Sequence, residues 1–260
     1  MDVRPAAVSG LFYEAEALRL QGQLDALLES AADSGAGPPR ALIVPHAGYV
    51  YSGQTAAVAY KQLAGHRDRI RRVALFGPAH RVHLKGMAVP SVDVFATPLG
   101  GVVLDRVAIE QLAALPRVTV SDEAHRDEHS LEVQLPFLQT LLEDFSLVPV
   151  VVGDCAPEAV ARAMDLLSAD PATLLVVSTD LSHFHDYEEA RRLDRQTCEC
   201  ILAGENALSG EQACGARALN GFLSSALFRS SQLELLQYCN SGDTAGGRER
   251  VVGYGAFSLH

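Results

Sequence analysis

Four short apolar runs constrain this chain more than any other feature: Ala41–Val44, Arg72–Phe76, Leu147–Gly153 and Thr173–Ser178. Each has strand length, and each is rich in valine, leucine or alanine, as buried strands are. Segments with helical spacing lie between them. That alternation predicts an α/β fold with a mainly parallel central sheet flanked by helices. Apolar residues are 48% of the sequence, enough for an extended core, so 1–260 reads as a single domain. The Gly/Pro-rich loop over 34–39 comes too early to separate two domains, and the sequence has no internal repeat.

The remaining elements follow from local pattern. Leu18, Leu20, Leu24, Leu27 and Leu28 form an apolar stripe that predicts a helix over 14–32. Further helices are expected over 55–63, over 104–115 with Asp105 as its cap, over 157–167 with Pro157 near its start, and over 187–202 and 212–227. The segment from His125 towards Leu142 reads as one helix in which Pro136 makes a bend or begins a new turn. Short strands are expected at 87–90, 93–95, 118–120, 232–239 and 251–257. Gly242–Gly247 is a glycine-rich loop in the wrong position for a phosphate cradle.

Charge narrows the function. A net charge of −11 lacks the basic footprint of nucleic-acid binding and disfavours anionic membrane surfaces. No run approaches the roughly 18 apolar residues of a membrane span. The first residues have neither the basic start nor the apolar stretch of a signal peptide, so a cytoplasmic protein is expected. Five cysteines, an odd number, argue against a disulfide framework. On a helix Cys198 and Cys200 point apart, which disfavours a shared zinc ion.

Parallel α/β sheets place their sites at the carboxyl ends of the strands. His46, His80 and the pair Asp180/His183 each follow an apolar run directly. Imidazole is a common ligand for first-row metals, and ligands from separate strand ends are able to converge on one ion. The bland alternative is a set of histidines satisfied by local hydrogen bonds. Asp180 near His183 suits acid/base work, and equally Asp180 or Ser182 suits capping of the next helix. His125 and His129 share a face if one helix carries both, but His-Arg-Asp-Glu-His is not the HExxH order of zinc peptidases. Glu128 and Glu132 suit compensation of the helix dipole at its start. Nucleophile-elbow, Walker and Rossmann patterns are absent from the sequence.

Four stretches occur in order: PHAGYVYSG at 45–53, GPAH at 77–80, EHSLEVQLP at 128–136 and STDLSH at 178–183. Together they resemble the Memo family, also called AmmeMemoRadiSam system protein B, and the likeness covers nearly the whole chain. The resemblance implies a fold similar to class III extradiol dioxygenases, which use non-haem iron. It implies His46, His80 and Cys239 as metal ligands, with cysteine where the dioxygenases have glutamate. It further implies His183 as the acid/base histidine, Asp180 beside it to orient it, and His129 lining the pocket. The cofactor implied is non-haem iron, with copper or zinc as alternatives suited to a thiolate. The activity implied is redox chemistry on O2 or a small aromatic or phenolic substrate. The alternatives are a non-catalytic binding module and a metal-handling protein using the same pocket. The family name implies an AMMECR1-type partner and a radical SAM protein.

Overall fold

The four apolar runs are the parallel centre of one sheet in the computed structural model, which describes residues 1–260 except 33, 34 and 36. The loop expected over 34–39 therefore lies partly outside the described residues. In chain order the strands are β1 (Val3–Arg4), β2 (Ala41–Val44), β3 (Arg72–Pro78), β4 (Met87–Val89), β5 (Val94–Thr97), β6 (Gly100–Val103), β7 (Val118–Val120), β8 (Ser146–Val152), β9 (Thr173–Ser178), β10 (His183–His185), β11 (Leu233–Asn240) and β12 (Val251–Leu259). The helices are α1 (Ala17–Ser30), α2 (Tyr49–Lys61), α3 (Arg106–Ala113), α4 (Asp122–Arg126), α5 (His129–Glu132), α6 (Leu135–Leu141), α7 (Pro157–Ser168), α8 (Tyr187–Ala203), α9 (Ala216–Ser224) and α10 (Ala226–Arg229).

Strands β2, β9, β3 and β8 lie side by side and parallel, in that order. The flanks are mixed: β12 runs antiparallel to β2, and β4 antiparallel to β8. Both β10 and β11 pair with β12, and β7 continues the sheet beyond β4. The short strands β1, β5 and β6 form a separate small sheet. Helices α7 and α9 pack together over β3 and β9, while α1, α2 and α6 pack on one another, with α2 against β2, β11 and β12. This single α/β domain with helices flanking its sheet is consistent with the dioxygenase-like fold that the resemblance implied. Among the described residues no helix is long and apolar enough to cross a membrane.

Most helices keep their expected places. Asp105 caps α3 by accepting from Ala108 N–H, and Pro157 opens α7. In α1, Leu20, Leu24 and Leu28 are buried, whereas Leu18 is 82% exposed and lies off the apolar face. The segment expected as one helix over 125–142 is instead three short ones, α4, α5 and α6. Glu128 ends the first run because its side chain accepts Ser130 N–H and starts a new helix, and Pro136 stands in the first turn of α6. His125 and His129 therefore share no helical face. His125 turns into the core, where Nε2 meets the Ala88 carbonyl at 3.0 Å.

The helical segment 122–132 is anchored from the N-terminus. Arg4 donates through Nε to the His125 carbonyl at 2.7 Å, through one terminal nitrogen to the Glu128 carbonyl at 2.7 Å, and through the other to Glu132 Oε2 at 2.6 Å. Glu132, fully buried, also accepts Ala7 N–H, Val8 N–H and the Tyr13 hydroxyl. A buried charge is tolerable when all its lone pairs are met in this way. Close approach completes the anchor: a Cβ on Gly77 would come within 2.8 Å of Leu131 and Ser130, so α5 sits directly on the end of β3.

Removing one partner strands the other charge inside the protein. Arg4→Ala and Glu132→Gln are each expected to lower unfolding free energy by about 3–5 kcal/mol, read from urea melts. Arg4→Met with Glu132→Leu should recover only part of that loss, because Ala7 and Val8 N–H then lose their acceptor.

Candidate metal centre

Strand order brings His46 and His80 together. Because β9 lies between β2 and β3, the residues after β2 and β3 flank the end of β9. The hydrogens available determine how His46 is oriented. Ser178 Oγ has one hydrogen, which it donates to the Ser130 carbonyl at 2.6 Å. It accepts from Gln134 Nε2 at 2.9 Å, so His46 Nδ1, also at 2.9 Å, has to be a donor. Nε2 is left as an acceptor, with the Cys214 sulfur 3.3 Å away. Burial, then the neighbouring His80, His129 and His183, pushes the His46 pKa well below the ordinary imidazole value, so the ring stays neutral.

His80 is held by Glu128, whose Oε2 accepts His80 N–H at 2.6 Å and whose Oε1 accepts ring Nδ1 at 2.9 Å. A carboxylate has no hydrogen to give, so Nδ1 of His80 is the donor in that contact. Burial works to raise the Glu128 pKa. The His80 ring and the N–H groups of His80 and Ser130 outweigh it and hold the group at about 2. His129 opens α5 and stacks on His80 with ring centroids 4.6 Å apart. Its Nδ1 is buried with no hydrogen-bond partner, and Glu128 Oε1 stands 3.6 Å away. Burial, then the His80 charge, lowers its pKa to about 4.

One nitrogen from each of His46, His80 and His129 lies within 4.8 Å of the others. Three imidazoles at that spacing, one with an unpartnered buried nitrogen, suit a first-row transition metal ion.

The thiol expected here, Cys239, is not among the clustered ligand atoms, and neither is any other cysteine of the described residues. Cys239 lies on β11, which pairs with the far side of β12 rather than with β2, and its Sγ is 2.9 Å from Thr55 Oγ1. It is outside the histidine group. The sulfur next to His46 Nε2, at 3.3 Å, belongs to Cys214, just before α9. The sulfur accepts Asp180 N–H at 3.3 Å, and Gly215 N–H is fixed on Thr179 Oγ1 at 2.9 Å. Burial, then the Asp180 charge, pushes the thiol up to about 12. A bound cation would reverse that by stabilising the thiolate. Sequence pattern left Cys214 inside a broad helical region over 212–227. The Cys-Gly pair at a helix start was the available signal, since Gly215 has backbone and Thr179 atoms where a Cβ would sit.

Beside the histidines lies a cavity of about 470 Å³ whose lining includes Phe12, Tyr51, His129, Asp180, His183 and Tyr254. His183, on β10, donates from Nδ1 to the Leu181 carbonyl at 2.9 Å, leaving Nε2 as a free base. Burial lowers its pKa, and the Leu181 carbonyl opposes that. The Leu181 carbonyl thus orients His183, the task expected of Asp180. Asp180 Oδ1 instead accepts His46 N–H at 2.7 Å and supports the loop that carries that ligand. Nor does Asp180 or Ser182 cap the next helix, because Asp186 caps α8. Burial raises Asp180 to about 7 against the N–H groups of His46 and Ala47 and the His80 charge.

Comparison with known proteins agrees with this architecture. A family model described as "Memo-like protein" matches residues 4–258. A MEMO1 family protein of Aquifex aeolicus is 34% identical over 270 residues, covering 98% of each chain. One of Archaeoglobus fulgidus is 35% identical over 266 residues, covering 97% of each chain. A crystal structure of an uncharacterised Escherichia coli K12 protein superposes with a TM-score of 0.51 at 15% identity, covering 82% of this chain and 98% of that one, a likeness of fold.

Gly215 is the point where packing sets the thiol's position. A Cβ there would meet Thr179 Cβ at 2.7 Å and the Ser178 carbonyl at 2.8 Å, so Gly215→Ala has to push Cys214 away from His46. The expected result is a loss of about 1–3 kcal/mol in urea unfolding and a fall of roughly tenfold or more in Zn(II) affinity by competition titration. Gly210→Ala, where nothing lies within 4 Å, should change neither.

Proposed function

This chain belongs to the Memo-like family, and from that premise we propose that it binds a transition metal, most suitably non-haem iron, on His46, His80, His129 and Cys214 for redox chemistry on a small phenolic substrate or O2. The observation that carries this reading is the convergence of three imidazole nitrogens within 4.8 Å beside a cavity lined by a free base. Bound iron or copper would supply one-electron chemistry and activate substrate oxygen atoms. The chain supplies the rest. Glu128 and Ser178 fix the His80 and His46 rings through Nδ1, so that Nε2 of each is the atom offered to the metal. Phe12, whose ring centroid is 4.8 Å from that of His129, and Tyr254 give an aromatic substrate apolar walls. His183 Nε2 takes the proton of a substrate hydroxyl, and Asp180, with its pKa near 7, holds a proton near neutral pH. All five cysteines are free, which supports a reducing, cytoplasmic setting.

The sulfur at 3.3 Å from His46 favours a second reading as well, handling of a soft ion such as copper(I). Oxygen uptake with a panel of catechols on iron-loaded protein separates the two. Turnover that disappears in His183→Ala supports the enzyme; no turnover, with tight copper(I) binding lost in Cys214→Ser, supports metal handling.

Metal analysis of purified protein tests the ligands. His46→Ala/His80→Ala should lose bound metal, Cys214→Ser should weaken it, and Cys239→Ser should leave it unchanged. Equal metal in the double variant and the parent would sink the site. The pH dependence carries its own sign. The Cys214 thiol keeps its proton up to about 12, so binding expels it and affinity rises with pH. Between about pH 7 and 9 the apparent affinity should rise roughly tenfold per unit, and that slope should vanish in Cys214→Ser.

A further inference from the structure

The cavity beside the histidine cluster has one cation in its lining, Arg250, just before β12. No ion pair or hydrogen bond engages its guanidinium among the described residues. Its contact is instead aromatic, with Cζ 4.9 Å from the Phe184 ring centroid. Stacking uses the face of a guanidinium and leaves its N–H fork free at the edge. Phe184 is itself unusual. It follows His183 on β10, holds a left-handed φ of 65° and is 61% exposed. Side chains rarely accept that conformation, and such strain gathers at functional positions. The ring therefore sits beside the cavity mouth, supporting Arg250, rather than in the core.

The nearby acid does not compete for this cation. Asp180 is the one carboxylate in the lining, and it is buried and occupied by His46 N–H. Phe12, Tyr51 and Tyr254 give the lining its aromatic surface, beside small residues such as Ala47, Gly48 and Gly246. An open guanidinium fork above aromatic walls matches a ring that bears an anionic group. In a chain of net charge −11, a cation without an ion-pair partner makes this cavity locally favourable to an anion, against the general field of the protein.

We infer that Arg250, supported by Phe184, is a specificity-determining residue that selects a small aromatic carboxylate for the cavity. This rests on the reading of that cavity as the substrate chamber of the metal centre. Arg250 is not a ligand, so binding and metal content are separable.

The test compares 4-hydroxybenzoate with 4-hydroxybenzamide, a neutral near-isostere, by calorimetric titration of the purified protein, with metal content measured on the same samples. The parent should prefer the acid roughly tenfold, the discrimination of one charge-assisted contact. Arg250→Gln should reduce that preference to less than about twofold with metal content unchanged, and Arg250→Lys should retain part of it. Added NaCl should weaken binding of the acid and spare the amide in the unmutated protein, a readout that needs no variant. Equal binding of acid and amide by the parent overturns the proposal, as does a preference that survives Arg250→Gln, which would assign the carboxylate to the metal. No binding of the acid at millimolar concentration overturns it too. A preference that depends on Arg250 in protein devoid of metal supports the anion site, while failure of that protein to take up added metal is what sinks the metal reading.

Discussion

Two buried carboxylates at the ends of α5 hold the candidate site in register. Glu132 gathers Arg4, Tyr13 and the Ala7 and Val8 N–H groups, which locks the N-terminal segment onto the helix. Glu128 grips both the backbone and the ring of His80 and caps the helix whose first residue is His129. One short helix thus carries the parts that set two of the three imidazoles. Arg4 closes the arrangement by binding the carbonyls at both His125 and Glu128. Charges this deep are costly, and they persist here because each oxygen and each guanidinium nitrogen has a partner.

The electrostatics of the site follow from that burial. The imidazoles are packed ring against ring, and His80 pushes both His46 and His129 further from protonation. The thiol of Cys214 is held protonated by the same desolvation and by Asp180. The site gathers three imidazoles, with one protonated thiol beside His46. Such a set gains most from a metal ion, which satisfies the nitrogens and converts the thiol to a strong ligand together. The cavity next to it has a different character, with aromatic walls, one free base at His183 and one open cation at Arg250.

Legibility from sequence varied with how local the cause was. The strands β2, β3, β8 and β9 were readable because burial on both faces leaves a continuous apolar run. The break between His125 and His129 was not, because it depends on Glu128 preferring Ser130 N–H and His80 over a continued helix. Glu128 and Glu132 read as dipole compensation, whereas their oxygens are spent on partners from 48 to 128 residues away. Strands β6 and β10 escaped notice because two glycines open the one and two histidines flank a single phenylalanine in the other, so neither forms an apolar run and pairing makes them strands.

The sequence by itself determined the α/β alternation, the strand ends at which His46, His80 and Asp180 stand, and the family whose motifs those residues belong to. Each of these is written in neighbouring residues: an apolar run, a turn, a histidine after it. Tertiary structure decided which groups meet. The order β11-β12-β2-β9-β3 puts His46 and His80 on either side of β9 and leaves Cys239 beyond β12, while the start of α9 brings Cys214 to His46. It also decided which ring nitrogen is free, because that depends on how many hydrogens Ser178, Glu128 and Leu181 can give or accept once they are packed together. Chain order carries no record of strand order, and a tautomer has no local sequence cause, so only the folded sheet supplies both.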